Sequence, residues 1–345
     1  MNDGTLNKFA QKKAGLVDNQ YYRLRSILGN DKWACFYILL GGRMVGKSFS
    51  VMDLFLNDWK TKKLPFTWLR LKESSTKKLL ANNAADLIDP IMRDRYDLEL
   101  TVKGNVVYDK GEPMCRILAL STFYNDKGIG TFDPRWERYN VALDEMNKEK
   151  NEKSFGDIVY AFVNQMENNF RNTPPEKLRC FLIGNTLEEA GDLLVAFDFI
   201  PEKFGRYYLR KKHAVIDYIP NGKKYRESRK DSVAEILTPN ASTFTNEIKV
   251  NTELLRQKRL IKPLYQIWFS DNDDEKFTVW DDGVIAQAHG EKVRVVPMRP
   301  HLDKVFIKDK RDAVIKVYHN RGFGYTNLIT QKKFKKYMEL LKPNG

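Results

Sequence analysis

Short apolar runs alternate with segments of helical periodicity along roughly the first 200 residues of the chain. Runs of consecutive apolar residues bounded by polar ones favour buried strands, and apolar residues three and four apart favour helices. Strands separated by helices of this length predict an α/β fold with a mostly parallel central sheet and helices on both faces. The strand candidates are Cys35–Leu40, Phe66–Leu71, two or three short strands between Leu98 and Leu120, Val141–Leu143 and Cys180–Ile183, and the helix candidates are Ser48–Lys60, Ser75–Ile88 and Phe155–Arg171.

The pattern changes after Pro201. A stretch rich in Tyr, Arg and Lys is followed by a polar connector, and from Lys262 onward strand-like pieces succeed one another until an amphipathic helix at Gln331–Leu341. These changes predict three parts: an α/β domain over residues 1–203, a basic linker or hinge over 204–245, and a smaller β-rich domain over 246–345.

The net charge of +14 is concentrated in the C-terminal part of the chain. Residues 203–345 carry 30 of the 59 basic residues and 17 of the 45 acidic ones, which is a surplus of 13 positive charges. An asymmetry of this size favours a polyanionic partner, most simply nucleic acid, although a solubilising surface has the same composition.

Two further classes are disfavoured by composition. No apolar run reaches the roughly 18–20 residues of a membrane span, and the N-terminal residues contain no apolar core typical of a secretory signal. The three cysteines, Cys35, Cys115 and Cys180, stand in apolar runs without metal-ligand spacing. We therefore expect buried, reduced thiols in a cytosolic protein that does not contact a membrane.

A phosphate-binding loop follows the first strand candidate. The sequence GGRMVGKS fits G-x-x-x-x-G-K-[ST] and stands between an apolar run and a helical pattern, which is the context that this motif requires. Its glycines let backbone N–H groups approach phosphates, Lys47 would bridge the β- and γ-phosphates of ATP, and Ser48 would ligate Mg²⁺. The predicted nucleotide-binding residues are Gly41, Gly42, Arg43, Met44, Val45, Gly46, Lys47 and Ser48.

An acidic pair ends a later strand candidate, in the sequence YNVALDE. Asp144 would complete the Mg²⁺ shell with Ser48, and Glu145 would orient and deprotonate the attacking water. Asn185, at the end of the next apolar strand, would sense the γ-phosphate or simply stand in a turn. Arg43 would touch the phosphates or be a solvated cation. Together these residues predict an ATPase of the additional-strand, catalytic-glutamate class.

At this point the sequence resembles a known family. The segments GGRMVGKS, LDE, NNFRN and LRCFLIGN, in this order and spacing, are similar to the DNA-packaging ATPases of small phi29-like tailed phages, a reduced branch of the terminase large subunits. The resemblance covers most of the first 200 residues and is weaker in the C-terminal part.

The resemblance implies a homo-oligomeric ring, pentameric in that family, which acts in the host cytoplasm at the portal (connector) vertex of an empty prohead. Such a ring drives double-stranded DNA inward, and the sequence leaves open whether a structural RNA joins it to the prohead. Arg171 in NNFRN matches an arginine that completes the ATP site of a neighbouring subunit. Lys127 in NDKGIG matches a second basic residue that acts in trans.

The resemblance also implies that the C-terminal domain is a degenerate RNase H-like nuclease, retained to bind DNA or the prohead. A terminase with an active nuclease, a nucleotide-switched DNA-binding protein and a hexameric helicase are the alternatives. A nuclease would need clustered acids, and DNA binding would need basic side chains. The acidic candidates are Asp271, Asp273, Asp274, Glu275, Asp281, Asp282 and Asp303; the basic candidates are Arg206, Arg210, Lys211, Lys212, Lys223, Lys224, Arg226, Arg229 and Lys230.

Overall fold

The computed structural model describes two compact units of the chain, which we treat separately. The first comprises residues 1–187, 191–193 and 201–248, and the second comprises 188–190, 194–200 and 249–345. Within these units the described residues are 16–18, 21–30, 32–126, 135–147, 156–171, 173–185, 191–201, 203–222, 227, 233, 236, 254–256, 262–300, 302 and 308–341.

The first unit alternates strands and helices as its hydrophobic pattern predicts. Its described strands are β1 (Val17–Asp18), β2 (Tyr21–Tyr22), β3 (Phe36–Gly41), β4 (Phe66–Arg70), β5 (Leu100–Lys103), β6 (Val106–Asp109), β7 (Glu112–Ala119), β8 (Tyr139–Asp144), β9 (Leu178–Asn185), β10 (Gly205–Leu209) and β11 (Ala214–Tyr218). Its helices are α1 (Lys47–Lys62), α2 (Glu73–Ala84), α3 (Pro90–Arg95) and α4 (Ile158–Phe170), and α5 (Asp192–Ala196) follows.

In the described part of the chain, a nine-stranded sheet has the order β10-β11-β3-β9-β8-β4-β7-β6-β5. The six strands from β11 to β7 in this order run parallel, and β10, β6 and β5 pair antiparallel at the two edges. The prediction of an α/β fold with a large, mostly parallel sheet is confirmed. The carboxyl ends of β3, β9, β8 and β4 therefore meet side by side at one edge of the sheet.

The strands at the centre of this sheet are buried on both faces. Every residue of β8 is buried, which explains why this strand reads as a nearly continuous apolar run. The helix α1 packs its apolar stripe against the sheet, and the ring of Phe55 lies 5.3 Å from that of Phe66 and 5.8 Å from that of Phe181. The three cysteines are free and buried, as their apolar surroundings predict.

The residues predicted to begin a linker at position 204 instead complete the main sheet. Strands β10 and β11 form an antiparallel pair, and β11 runs parallel to β3. The aromatic and aliphatic residues of this stretch fill the core, which the lysines and arginines between them obscure in the sequence. A linker over 204–245 therefore does not describe residues 205–218.

The second unit contains a smaller mixed sheet. Its described strands are β12 (Pro263–Trp268), β13 (Lys276–Trp280), β14 (Val284–Gln287), β15 (Arg294–Pro297) and β16 (Gly324–Tyr325), and they pair in the order β15-β12-β13-β14-β16. The strands β12, β13 and β14 form an antiparallel meander, whereas β15 and β16 pair parallel to β12 and β14. The likeness to a nuclease fold stays a prediction.

Two helices cover one face of this second sheet. They are α6 (Lys308–His319) and α7 (Leu328–Glu339). The ring of Phe334 on α7 is fully buried and lies 5.3 Å from that of Phe277 on β13 and 5.5 Å from that of Phe269. The pattern at the C-terminus predicts α7 three residues late. It misses α6 because six of the twelve residues of α6 are charged and the helix buries only Val314.

Candidate nucleotide-binding site

The phosphate-binding loop connects β3 to α1. The loop follows Gly41 at the end of β3, and α1 begins at Lys47. Gly46 has a φ of 85°, a left-handed conformation that favours glycine, and a Cβ there would lie 3.2 Å from the Tyr21 ring. The loop therefore reaches the start of α1, where unpaired N–H groups and the helix dipole suit an anion.

The Lys47 side chain lies folded over this loop. It is only 6% exposed, and its ammonium donates hydrogen bonds to the carbonyl oxygens of Gly41, at 2.9 Å, and Gly42, at 2.5 Å. Burial lowers the pKa of Lys47 to about 8, the Asp144 carboxylate opposes this shift, and the positive charge of Arg43 adds to it. The two carbonyl groups are neutral acceptors. A phosphate would give the Lys47 ammonium an anionic partner in their place.

Ser48 and Asp144 are joined across the edge of the sheet. The Ser48 hydroxyl donates to Asp144 Oδ1 at 2.9 Å, which connects the start of α1 to the end of β8. Burial raises the pKa of Asp144, while the positive Arg70 and the bond from Ser48 oppose that rise. A hydroxyl and a carboxylate suit Mg²⁺, which typically keeps few protein ligands beside phosphates and water. Among the described residues there is no group of three or more acidic, His or Cys side chains placed to hold a metal by themselves.

Glu145 leaves the strand in a strained conformation. Its φ is 58°, in the left-handed region that a glutamate rarely adopts. The chain then returns to the sheet, because the Met146 N–H donates to the carbonyl of Ile183 at 2.9 Å. The turn directs the Glu145 side chain away from the core, and 60% of it is exposed to solvent.

Arg70 holds both acids of this pair. Its guanidinium lies 3.0 Å from Asp144 Oδ2, and it also forms an ion pair with Glu145 Oε2. The guanidinium therefore bridges the two adjacent acids and fixes the position of the Glu145 carboxylate in this structure. Sequence reasoning missed this residue. The available signal is a single arginine at the end of the apolar run FTWLRL, but its role depends on β4 lying beside β8.

Asn185 ends the strand between β3 and β8. In the pairing of β9 with β3 it stands opposite Gly41, so it lies at the same edge as the loop. Its backbone carbonyl accepts a hydrogen bond of 3.1 Å from the Asn147 side chain, which follows the acidic pair. The strand order therefore brings Asn185 to the predicted site, and γ-phosphate sensing stays a prediction.

Of the two residues predicted to act in trans, the structure describes only Arg171, and its role stays a prediction. Arg171 follows the last residue of α4, its side chain is 73% exposed, and its Nε lies 3.9 Å from Glu167 one turn earlier. This weak surface pair leaves the guanidinium available to another molecule. Lys127 lies outside the described residues. Arg43 is exposed on the loop, and its role stays a prediction.

A buried polar network joins strands β2, β10 and β11 next to the phosphate-binding loop. The Tyr22 hydroxyl donates to Asp217 at 2.6 Å, and Arg206 forms two hydrogen bonds of 2.7 Å with the same carboxylate. The Tyr22 N–H donates to the carbonyl of Val45 within the loop at 2.8 Å. Arg206 is 8% exposed and satisfied by this network, so the prediction that it contacts DNA is wrong.

The other basic candidates for DNA contact are distributed as follows. The guanidinium of Arg210 lies 4.1 Å from the centre of the Trp33 ring, and Lys211 and Lys212 are exposed. The candidates at positions 223, 224, 226, 229 and 230 lie outside the described residues.

The acids of the second unit stand at two opposite ends of its meander. Asp271, Asp273, Asp274 and Glu275 lie in or beside the β12–β13 connection, whereas Asp281 and Asp282 form the β13–β14 turn. Asp273 is 96% exposed and pairs with Lys276 at 2.9 Å. The length of β13 separates these two groups, and Asp303 lies outside the described residues.

Comparison with known proteins places this geometry in a family. The sequence profile of the Podovirus DNA encapsidation protein (Gp16) matches residues 17–248, and a search of curated protein sequences finds no match. The fold resembles "The Phi-28 gp11 DNA packaging Motor" with a TM-score of 0.68, 16% identity, and coverage of 95% of this chain and 100% of that one. It also resembles "The bacteriophage Phi-29 viral genome packaging motor assembly" with a TM-score of 0.66, 19% identity, and coverage of 94% and 100%. None of the described helices combines the length and apolar character needed to span a bilayer. Because the profile covers well over half of the sequence, the chain belongs to the Podovirus DNA encapsidation protein (Gp16) family.

Proposed function

We propose that this protein is an ATPase that translocates double-stranded DNA and packages a viral genome into a prohead as a homo-oligomeric ring. The observation that carries the proposal is the edge of the parallel sheet where Lys47, Ser48, Asp144 and Glu145 converge. Ser48 and Asp144 are joined by a hydrogen bond of 2.9 Å, in a chain of a DNA encapsidation family. A ring of this kind would act in the host cytoplasm at the portal vertex.

Each residue at this edge has a separate task. The backbone N–H groups of the loop and the start of α1 hold the phosphates of ATP, and Lys47 exchanges its two carbonyl partners for phosphate oxygens. The Ser48 hydroxyl and the Asp144 carboxylate would hold Mg²⁺, which would supply positive charge to offset that of the phosphates. Glu145 takes a proton from the attacking water. Asn185 senses the γ-phosphate from the neighbouring strand.

Completion of the site in trans would link the subunits of the ring. The Arg171 guanidinium, exposed at the end of α4, stabilises the charge that develops on the phosphoryl group bound by the next subunit. Lys127 is the second candidate for this role. The homo-oligomer, pentameric by resemblance, therefore hydrolyses ATP at the junctions between its subunits.

DNA contact is assigned to the basic C-terminal part of the chain. Sequence-independent translocation needs Lys and Arg contacts with the phosphate backbone, and these contacts weaken as salt rises. The surplus of 13 positive charges in residues 203–345 satisfies this need. The portal and a structural RNA of the prohead are the other partners that the family resemblance suggests.

The test is ATP hydrolysis by the purified protein with and without long double-stranded DNA. The variants are Glu145→Gln, Arg171→Ala and, as a matched control, Arg95→Ala, which removes an arginine paired with Asp53 at 2.8 Å on the same unit. We expect DNA to stimulate the wild type and the control. We expect Glu145→Gln and Arg171→Ala each to be inactive and their mixture to regain part of the turnover.

Recovery in the mixture is the diagnostic result. One variant then supplies the arginine that the other lacks, and the second supplies the intact glutamate. Normal turnover by Arg171→Ala together with no response to DNA would refute the ring translocase. Absence of hydrolysis in the wild type under all conditions would refute the ATPase itself.

A further inference from the structure

A buried asparagine, Asn147, closes the turn that follows the acidic pair, and none of the steps described above uses it. It comes two residues after Glu145 and is only 9% exposed. Its amide nitrogen donates to the Asn185 carbonyl at 3.1 Å, across to the end of β9. Its amide oxygen has no hydrogen-bond partner among the residues that the structure describes.

That unpaired oxygen makes an amide a poor choice for stability at this position. Burying an amide oxygen without a partner costs about as much free energy as the single hydrogen bond of its nitrogen returns, or more. An apolar side chain of similar shape would avoid this cost. A buried polar group that is kept under these conditions calls for an explanation in function.

The glycine before Asn185 makes room for this amide. A Cβ at Gly184 would lie 2.7 Å from Asn147 Nδ2, closer than such atoms approach one another in proteins. Gly184 lies within β9, where an extended backbone does not itself require glycine. A glycine inside a strand often marks the close approach of another group, and here that group is the Asn147 amide.

The contact bears on Glu145, because the left-handed conformation of that residue persists only where its surroundings impose it. Two hydrogen bonds follow Glu145 and hold the turn against β9. The first joins the Met146 N–H to Ile183 and is a backbone contact that any residue can make, whereas the second is made by the Asn147 side chain. Arg70 thus holds the carboxylate of Glu145, and Asn147 holds the backbone from which it projects.

We propose that Asn147 is a positioning residue for the reaction of the proposed ATPase, on which this inference rests. It ties the Glu145 turn to the end of β9, so that the carboxylate stays where the attacking water would bind. It also joins that carboxylate to the strand end of Asn185, the proposed γ-phosphate sensor. Asn147 acts through Glu145 and needs no contact with the nucleotide.

ATP hydrolysis at saturating ATP, calorimetric ADP binding and thermal unfolding test this role together. Asn147→Leu keeps the approximate shape of the side chain and removes both the donor and the unpaired oxygen. Gly184→Ala disturbs the same contact from the other side. Asn30→Ala is the matched control, since it removes a partly buried amide that donates to the Ile27 carbonyl at 3.0 Å.

We expect Asn147→Leu to lower turnover roughly 10- to 100-fold, because a small displacement of a catalytic group has an effect of this size. Its ADP affinity should match the wild type, and its unfolding temperature should be equal or higher, since no amide oxygen is left unpaired. A merely structural asparagine would instead lose stability and activity together. Gly184→Ala should lose turnover in the same range, and Asn30→Ala should lose none.

A second comparison uses Glu145→Gln as the background. Because Asn147 acts through Glu145, adding Asn147→Leu to Glu145→Gln should change the residual turnover by no more than about twofold. Long incubations with a high protein concentration measure these slow rates.

Three results would overturn the proposal and leave the ATPase standing. They are full turnover by Asn147→Leu, an equal fold-loss from this substitution with and without the Glu145 carboxylate, and a loss of ADP affinity together with a lower unfolding temperature. Absence of hydrolysis in the wild type would instead overturn the ATPase, and the positioning role with it.

Discussion

Among the described residues, the two sheets of this protein differ in how they place the polar residues at their strand ends. In the first unit six neighbouring strands run parallel, so Gly41, Arg70, Asp144 and Asn185, each at the carboxyl end of its strand, stand side by side. In the second unit the central strands form an antiparallel meander, so successive turns lie at opposite ends. Parallel order gathers polar strand ends into one site, and antiparallel order disperses them.

The strongest test of the difference between the two units is the same substitution, glutamate to glutamine, made in each of them. Glu145→Gln should lower ATP turnover roughly 10²- to 10⁴-fold and retain nucleotide binding, because it removes the proposed base and keeps the shape of the side chain. Glu291→Gln is the matched control: this carboxylate accepts a 2.9 Å bond from Thr278 in the second unit and should leave turnover unchanged. Steady-state ATP hydrolysis by the two variants is the measurement. An equal loss of turnover in both would contradict the assignment of catalysis to the first unit.

The next largest effect concerns the stability of each unit. Phe334→Ala removes a fully buried ring from the core between α7 and the smaller sheet and should cost the second unit roughly 3–5 kcal/mol. Hydrogen exchange followed by mass spectrometry should show faster exchange in β12–β14 and unchanged protection in β3 and β8. Leu340→Ala, at a position 60% exposed, is the control. Equal loss of protection in both sheets would mean that the units unfold together.

A third effect is the pH dependence of nucleotide binding, which only the first unit should confer. The pKa of Lys47 is lowered to about 8 in the free protein, and bound phosphates would raise it again. Below pH 8 the ammonium is already protonated, so affinity is unaffected by this group. Above it, affinity for ADP should fall by up to tenfold per pH unit, because binding then requires uptake of a proton.

Calorimetry from pH 7 to 9.5, in two buffers of different ionisation enthalpy, measures this uptake directly. Net uptake of a fraction of a proton near pH 8.5 is the expected result. An affinity that stays constant up to pH 9.5 would show that Lys47 is fully charged in the free site.

The smallest effect is expected from the acids of the second unit. Asp273 is 96% exposed, and its pair with Lys276 is a surface contact, so Asp273→Asn should change the free energy of unfolding by about 0.5 kcal/mol or less. The variant should package and hydrolyse as the wild type does. A metal-dependent DNA nicking activity that this substitution abolishes would instead favour a terminase with an active nuclease.

Local sequence was enough to predict the candidate residues that stand in continuous motifs. The loop from Gly41 to Ser48 and the pair Asp144–Glu145 have local signatures, because the chemistry proposed for them requires a fixed spacing along one segment. Arg70 has no such signature. Its role arises from the order β9-β8-β4, and strand order is decided by contacts between distant segments.

The fold shows the same division between local and distant information. The parallel sheet follows from the alternation of strands and helices. The sequence instead predicts a linker at β10 and β11, because the exposed Arg210, Lys211 and Lys212 stand between these two buried strands. Arg206 illustrates the difficulty: in sequence it is one of several basic residues, and only the position of Asp217 and Tyr22 makes it a buried partner. The helix α6 was missed for a related reason, since few of its residues are buried.

The contact between Gly41 and Ile219 has a consequence for the evolution of the loop. A Cβ at position 41 would lie 3.0 Å from Ile219 Cβ and 3.3 Å from the Ile219 carbonyl oxygen, and the second of these atoms is present whatever residue occupies position 219. The Ile219 N–H also donates to Leu40 at 2.7 Å, so this segment cannot easily withdraw. The first glycine of the motif is thus constrained by the neighbouring Ile219, independently of the phosphate contact proposed for it. A descendant that lost the ability to bind nucleotide would still be under selection to keep glycine at position 41. A conserved glycine at this position is therefore weak evidence, by itself, that an ancestor was an ATPase.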